Sequence, residues 1–254
     1  MTDRILGVLG GMGPLASAQF MLRLTLLTPA ERDQDHIPAV LWSDPRIPDR
    51  GAARAGAGPD PLPALVRGLH GLQAAGCGAV AIPCNTAHGW ISGMRAATPL
   101  PILHIVDAAA DDLRRQGIPP GPVGVLGTSA TLAMRLYQDH LQALGWPCLV
   151  PDTVEMARLV TPAIALVKAN RVRDAYAPLV EAAELLARRG AQAVVLGCTE
   201  IPLGMQAGPA VGIPVVDTID ALARAAIRWA GKRPLPALQR PILQHHEAAD
   251  DPRP

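Results

Sequence analysis

The chain has 254 residues, of which 49% are hydrophobic and 18% are charged, and its formal net charge is +1. This length and apolar content suffice for one large or two small globular domains. The near-neutral charge provides no basic surface for nucleic acid or for an acidic membrane, so we expect neither as a partner.

The amino terminus and the cysteine content indicate a cytoplasmic protein. The apolar stretch near residues 5–9 is too short and too rich in glycine for a secretory signal or a membrane span. Four cysteines in a chain of this length, without a secretion signal, are typical of reduced thiols rather than of a disulfide framework. We therefore expect a cytoplasmic location and free cysteines.

In chain order, short Val/Ile/Leu runs alternate with amphipathic stretches rich in Ala, Leu and Arg, which predicts an α/β fold built on parallel sheets. The predicted strands cover residues 4–9, 38–43, 79–83, 101–105, 122–126, 146–150, 193–197 and 213–216. The predicted helices cover residues 14–28, 62–75, 87–97, 106–116, 131–143, 153–168, 171–189 and 218–231. Gly76, Gly145 and Gly190 follow three of these helices, and Asp152 with Glu155 predicts a capping box at the start of another.

Three segments of the first half recur in the second half, in the same order and at a nearly constant offset. The matched pairs are "GVLGGMGPLAS" (7–17) with "GVLGTSATLAM" (124–134), "GCGAVAIPCNT" (76–86) with "GAQAVVLGCTE" (190–200), and "PILHIVDA" (101–108) with "PVVDTIDA" (214–221). The first pair shares six of eleven residues, and the offsets are 117, 114 and 113. The recurrence predicts two similar α/β halves in which Cys84 and Cys198 are equivalent.

This repeat divides the chain into two predicted domains and a tail. We expect residues 1–104 and 217–233 to form the first domain, because the last helix returns to pack on the first half, and residues 105–216 to form the second. The Pro-rich and charged residues 234–254 are predicted to be an extended tail outside the core. A Gly/Pro/Ala-rich loop at residues 44–63 carries Arg46 and Arg50 and is typical of an active-site flap.

Cys84 and Cys198 each follow a predicted strand and precede a helix start. Ligands of parallel sheets bind at the carboxyl ends of the strands, and a helix N-terminus there lowers the pKa of a thiol. Two thiols that face one ligand from opposite sides suit inversion at a carbon that bears a removable proton. A zinc site is disfavoured because no C-x-x-C pair is present, and Cys77 and Cys148 are interpreted as packed residues.

The chain resembles the aspartate/glutamate racemase family, and most of all its cofactor-independent aspartate racemases. The resemblance rests on "GVLGGMGPLAS", "TPAERDQDH" (28–36), "IPDR" (47–50), "PCNTAH" (83–88) and "GCTE" (197–200), and it extends from about residue 4 to residue 231. It implies two similar parallel-sheet α/β domains related by a pseudo-twofold axis, with the active site in the cleft between them. It also implies a homodimer, and an acidic amino acid as substrate without pyridoxal phosphate, another cofactor or a metal.

The same resemblance assigns roles to residues. Cys84 and Cys198 are implied to be the catalytic acid/base pair, with Cys198 serving the L enantiomer and Cys84 the D enantiomer. Arg50 is implied to hold the side-chain carboxylate of aspartate, and Lys168 to help bind a carboxylate. The further substrate-binding residues implied are Met12, Gly13, Asn85, Thr86, Thr128, Thr199 and Glu200. The segment "WSDPR" before "IPDR" departs from the expected neutral stretch, so Asp44 and Arg46 bear on the choice between aspartate and glutamate.

Other functions stay open at this point. "GMGPLA" (11–16) matches the G-x-G-x-x-A pattern of dinucleotide-binding oxidoreductases, although no acidic residue ends a second strand at the required distance. A pyridoxal-phosphate racemase that uses Lys168 would also invert amino acids. A binding protein for acidic amino acids, a hydantoin racemase and a diacid isomerase or decarboxylase are further alternatives.

Overall fold

A computed structural model of the protein describes residues 4–236 and contains two four-stranded parallel sheets. The first sheet has the strand order β2-β1-β3-β4. Its strands are β1 (Ile5–Gly10), β2 (Ala39–Ser43), β3 (Cys77–Ala81) and β4 (Ile102–Leu103). Val8 in the central strand β1 lies between Leu41 of β2 and Ala81 of β3.

The second sheet repeats this topology with the order β6-β5-β7-β8. Its strands are β5 (Val123–Gly127), β6 (Cys148–Leu149), β7 (Val194–Gly197) and β8 (Val215–Asp217). The predicted α/β class with two similar parallel-sheet halves is therefore confirmed. Cys84 and Cys198 each follow the third strand of their own sheet, and are equivalent in the topology.

Helices flank both sheets. Those in the first part of the chain are α1 (Pro14–Leu27), α2 (Arg50–Arg54), α3 (Leu62–Ala74), α4 (Ile91–Ala97) and α5 (Ile105–Arg115). Those that follow are α6 (Ser129–Ala133), α7 (Gln138–Ala143), α8 (Thr153–Glu155), α9 (Thr161–Lys168), α10 (Tyr176–Arg188), α11 (Glu200–Met205) and α12 (Thr218–Trp229). Gly76, Gly145 and Gly190 have positive φ after α3, α7 and α10, and Asp152 and Glu155 form the expected capping box.

Four predicted helices are interrupted, one of them by the 3₁₀ turn at Arg173–Ala175 that precedes α10. A 3₁₀ turn at Thr86–Trp90 precedes α4, and a left-handed residue, Arg135, with φ of 54°, separates α6 from α7. A π-helical turn at Met156–Val160 separates α8 from α9, next to Pro162, which has no N–H to donate to the preceding turn. Helix α2 was not predicted, and α11 was expected only as a helix start after Cys198, because five or six residues are too few to show a helical period.

Helix α12 packs against both α1 and α5. Arg23 on α1 donates two hydrogen bonds to the carboxylate of Asp220 on α12, with N–O distances of 2.5 and 2.7 Å. One continuous apolar core extends from β1 and α1 through α5 and α12 to the second sheet. The domain boundaries given above remain a prediction. Most of the predicted tail, residues 237–254, lies outside the described residues.

No helix among residues 4–236 is both long enough and apolar enough to cross a membrane.

Candidate active site

A cavity of about 510 Å³ lies between the two halves, and both Cys84 and Cys198 line it. Cys84 follows β3 by three residues and Cys198 follows β7 directly, so the two thiols come from equivalent sheet ends. Both cysteines are buried, at 5% exposure each. The other predicted residues that line the cavity are Met12, Arg50, Asn85, Thr86, Thr128, Lys168, Thr199 and Glu200.

Gly13 does not line the cavity, contrary to the prediction. It precedes α1 and lies beside Glu200, where an added Cβ would be 3.1 Å from Glu200 Oε1. Its missing side chain therefore makes room for the glutamate.

Faces of three helices form the walls of the cavity. Helix α9 contributes residues spaced three or four apart, which share one side of a helix: Thr161, Ile164, Ala165 and Lys168. Helix α6 contributes Ser129, Ala130 and Ala133, and α2 contributes Arg50, Gly51 and Arg54. Four of these ten wall residues are aliphatic: Ala130, Ala133, Ile164 and Ala165. Apart from Arg50 and Lys168, which the resemblance to racemases indicated, the wall residues could not be assigned to the site until the helices were placed.

Arg50 is a buried cation without a carboxylate partner among the described residues. Its guanidinium donates hydrogen bonds to the backbone carbonyls of Ile47, Pro48 and Met12, at 3.3, 3.0 and 3.2 Å. Its Nε is buried and makes no hydrogen bond in the described structure. Carbonyl groups orient the guanidinium but leave its positive charge uncompensated, so the site favours an anionic ligand.

Asp49, Arg54 and Lys168 lie at the exposed mouth of the cavity. Partial desolvation raises the pKa of the Asp49 carboxyl. The hydrogen bond from the Ala52 N–H and the charges of Arg50 and Lys168 together lower it by more, so the pKa of Asp49 is below its usual value. The mouth therefore carries both signs of charge. Sequence reasoning missed Asp49 and Arg54, and the spacing of Arg50 and Arg54 becomes informative only once α2 is recognised.

The departure at "WSDPR" lies away from this cavity. Arg46 donates to its neighbour Asp44 at 2.8 Å, and neither residue lines the cavity. Asp44 and Arg46 form an ion pair with each other outside the cavity.

The thiol of Cys198 donates a hydrogen bond to Glu200 Oε2 at 3.0 Å. Burial raises the pKa of this thiol well above its usual value, and the carboxylate of Glu200 raises the pKa further. Burial also raises the pKa of the Cys84 thiol, while the positive charge of Arg50 opposes that increase.

These directions correct the expectation that helix N-termini would lower both thiol pKa values. The helical segments after the two cysteines are short, and burial of the sulfur atoms is the larger effect. The two thiols nevertheless differ, since Arg50 favours a thiolate at Cys84 and Glu200 favours a protonated thiol at Cys198.

We expect Glu200→Gln to shift the limb of the pH–rate profile that reports Cys198 ionisation to lower pH, by about one unit. The variant removes a negative charge that raises the Cys198 pKa, so the thiolate forms at lower pH. The measurement is kcat/KM against pH for both enantiomers. Glu184→Gln, on the exposed side of α10, is the control. A shift to higher pH would instead show that Glu200 accepts the thiol proton.

We call residues 82–86 and 196–200, at the ends of β3 and β7, the two cysteine loops. Polar side chains connect each loop to the opposite half of the protein. Thr199 Oγ1 donates to the carbonyl of Pro83 at 3.2 Å, and Thr86 Oγ1 lies 3.0 Å from Thr128 Oγ1. Thr128 also caps α6 by accepting from the N–H of Thr131. Thr86, Thr128 and Thr199, which were predicted to contact the substrate, therefore also make hydrogen bonds within the protein that hold the two loops in place.

His88 lies fully buried behind Cys84 rather than in the cavity. Its Nδ1–H donates to the Cys84 carbonyl at 2.9 Å, and its Nε2 accepts from the N–H of Ile105 at 3.3 Å. The second bond requires the neutral ring, because a protonated Nε2 cannot accept a hydrogen bond. Burial, with a smaller contribution from His104, lowers the pKa of His88 to about 3.

This burial predicts a pH-dependent stability. The pKa of His88 in the folded protein is below the ordinary histidine value of 6.5, so the unfolded state binds a proton more readily and the fold is destabilised as pH decreases from 6.5 towards 3. The expected slope is about 1.4 kcal/mol per pH unit, and about 5 kcal/mol at most in total. Urea unfolding at several pH values should show this slope reduced in His88→Gln and retained in His70→Gln, whose histidine is exposed. Equal slopes in the two variants would contradict the prediction.

The chain and its fold are similar to those of known racemases. The sequence profile of the Asp/Glu/hydantoin racemase family matches residues 9–226. An aspartate racemase of Picrophilus torridus has a TM-score of 0.79 and 33% identity, with 91% of this chain and 96% of that chain covered. The broad specificity amino-acid racemase RacX of Bacillus subtilis is 26% identical over 230 residues, which are 88% of this chain and 96% of the relative. A glutamate racemase of Francisella tularensis, solved with D-glutamate, shares the fold, with a TM-score of 0.64 at 16% identity over 90% of this chain and 81% of that chain.

Proposed function

The chain belongs to the Asp/Glu/hydantoin racemase family, and on this premise we propose that it interconverts L- and D-aspartate with two cysteine thiols, with glutamate as the alternative substrate. Family membership and the named relatives make the protein an isomerase. The observation that supports the substrate and the mechanism is one cavity lined by both thiols and by a buried arginine that has no carboxylate partner among residues 4–236.

In the proposed reaction, one sulfur enters as a thiolate and removes the α-proton from one face of the substrate. The C–H electron pair stays on the α-carbon, and the thiol of the other cysteine transfers its proton to the opposite face. The first cysteine ends as a thiol and the second as a thiolate, so protons and charge balance. Because an α-proton is far less acidic than a thiol, the buried cavity and the substrate ammonium must stabilise the carbanion.

The two thiols differ in the charges next to them. Burial raises the pKa of both, but Arg50 opposes that increase at Cys84, whereas Glu200 adds to it at Cys198. In the proposed assignment Cys84 deprotonates the D enantiomer and Cys198 the L enantiomer, Arg50 binds the side-chain carboxylate, and Lys168 binds a second carboxylate at the mouth. The remaining polar residues that line the cavity, Asn85, Thr86, Thr128, Thr199 and Glu200, would contact the substrate α-carboxylate or ammonium group.

A second candidate is racemisation of larger amino acids on the same scaffold. The wall formed by Ala130, Ala133, Ile164 and Ala165 is aliphatic, and a volume of about 510 Å³ exceeds that needed by aspartate. Hydantoins and other diacids are further substrates to test for the same reason.

The deciding experiment incubates the purified protein with each L-amino acid, with hydantoins and with diacids, without added cofactor, and separates the products by chiral chromatography. Formation of D-aspartate supports the proposal, and binding of aspartate without exchange of its α-proton would favour a binding protein. An absorbance spectrum of the same sample detects a bound aldimine or nicotinamide, which the proposal does not require. We also propose a homodimer, which light scattering after size-exclusion chromatography tests directly.

A further inference from the structure

Tyr137 lies between α6 and α7 and contacts both cysteine loops. It is fully buried, and its hydroxyl donates a hydrogen bond to Oδ1 of Asn85, the residue after Cys84. Its ring packs against Gly197, the residue before Cys198, so closely that a Cβ there would lie 3.1 Å from Tyr137 Cε2. One side chain therefore spans the distance between the two loops.

A second set of contacts closes a ring with this tyrosine. Asn85 Nδ2 donates to Thr218 Oγ1 at 3.2 Å, and Thr218 Oγ1 donates to the carbonyl of Leu196 at 2.8 Å. Leu196 precedes Gly197, so the hydrogen bonds return to the loop against which the tyrosine ring packs. All the side chains of this ring are at least 98% buried.

We propose that Tyr137 is a positioning residue that sets the separation of Cys84 and Cys198, acting through Asn85 on one loop and Gly197 on the other. It does not line the cavity and does not touch the substrate. The inference rests on the proposed two-thiol function, because inversion requires both sulfurs at reacting distance from one carbon. Exchange of the α-proton with solvent requires only one of them.

Tyr137→Phe removes the hydroxyl and keeps the ring. We expect kcat to decrease at least about tenfold, because displacements well below 1 Å already slow proton transfer, while KM changes little. In deuterated water the recovered substrate should contain more deuterium per inversion than with the unchanged protein, since the loop of one thiol has lost its tie. Tyr176→Phe, the other tyrosine, removes a peripheral hydrogen bond to the carbonyl of Pro209 and is the matched control.

Thr218→Val tests the opposite side of the ring without altering the tyrosine. Thr218→Val should also raise the ratio of α-proton exchange to inversion. Circular dichroism checks that each variant is folded. An unchanged ratio in both folded variants, or an equal change in Tyr176→Phe, would overturn the positioning role. Absence of racemisation in the unchanged protein would instead refute the proposed function.

Discussion

Cys84→Ala and Cys198→Ala should each reduce racemisation of aspartate at least about 10³-fold in both directions, because each removes a proton donor and acceptor that acts in the transition state. Inversion needs one sulfur on each face of the α-carbon, so neither variant retains a complete pair. The measurement is the rate of D-aspartate formation from the L enantiomer, and the reverse. Cys77→Ala is the matched control, because it removes a thiol that is equally buried but does not line the cavity.

Exchange in deuterated water distinguishes the two thiols. Cys84→Ala should still exchange the α-proton of L-aspartate through Cys198, and Cys198→Ala that of the D enantiomer through Cys84. The opposite pattern would reverse the assignment of the enantiomers and leave the pair intact. Full racemisation in either folded variant would refute the two-thiol mechanism.

Arg50→Gln should reduce kcat/KM for aspartate about 100-fold, chiefly by raising KM. The buried guanidinium has no carboxylate partner in the described structure, so the substrate carboxylate would complete a charged hydrogen bond worth about 2–3 kcal/mol. Arg46→Gln is the matched control on the same loop, because Arg46 pairs with Asp44 outside the cavity.

Substrate comparison makes this prediction specific. If Arg50 binds the side-chain carboxylate, the variant should lose most of its preference for aspartate over alanine. An equal increase in KM with alanine would place the α-carboxylate at Arg50 instead, whereas an equal decrease in kcat would reflect the lost stabilisation of the Cys84 thiolate. Unchanged kinetics with both substrates would exclude Arg50 from the substrate site.

Much of the candidate site was predictable from the sequence. The repeated motifs identify Cys84 and Cys198 as equivalent. The resemblance to racemases added Arg50, which lies in "IPDR", together with Lys168 and the polar residues after each cysteine. By contrast, Arg54 of α2 and Ile164 of α9 line the same cavity without any motif, and their inclusion depends on how short helices pack.

The sequence by itself determined the α/β class, the two similar halves and the equivalence of Cys84 and Cys198. Hydrophobic period and glycine positions are properties of neighbouring residues, and a repeat is visible when the chain is compared with itself. Only the tertiary structure decided the directions of the thiol pKa shifts, the lack of an ion pair to Arg50 within the described residues and the place of Tyr137 between the loops. Tyr137 and Asn85 are 52 residues apart, and burial arises from such distant contacts. Local sequence patterns therefore predict which helices and strands form. The environment of a buried side chain exists only after those helices and strands have packed together.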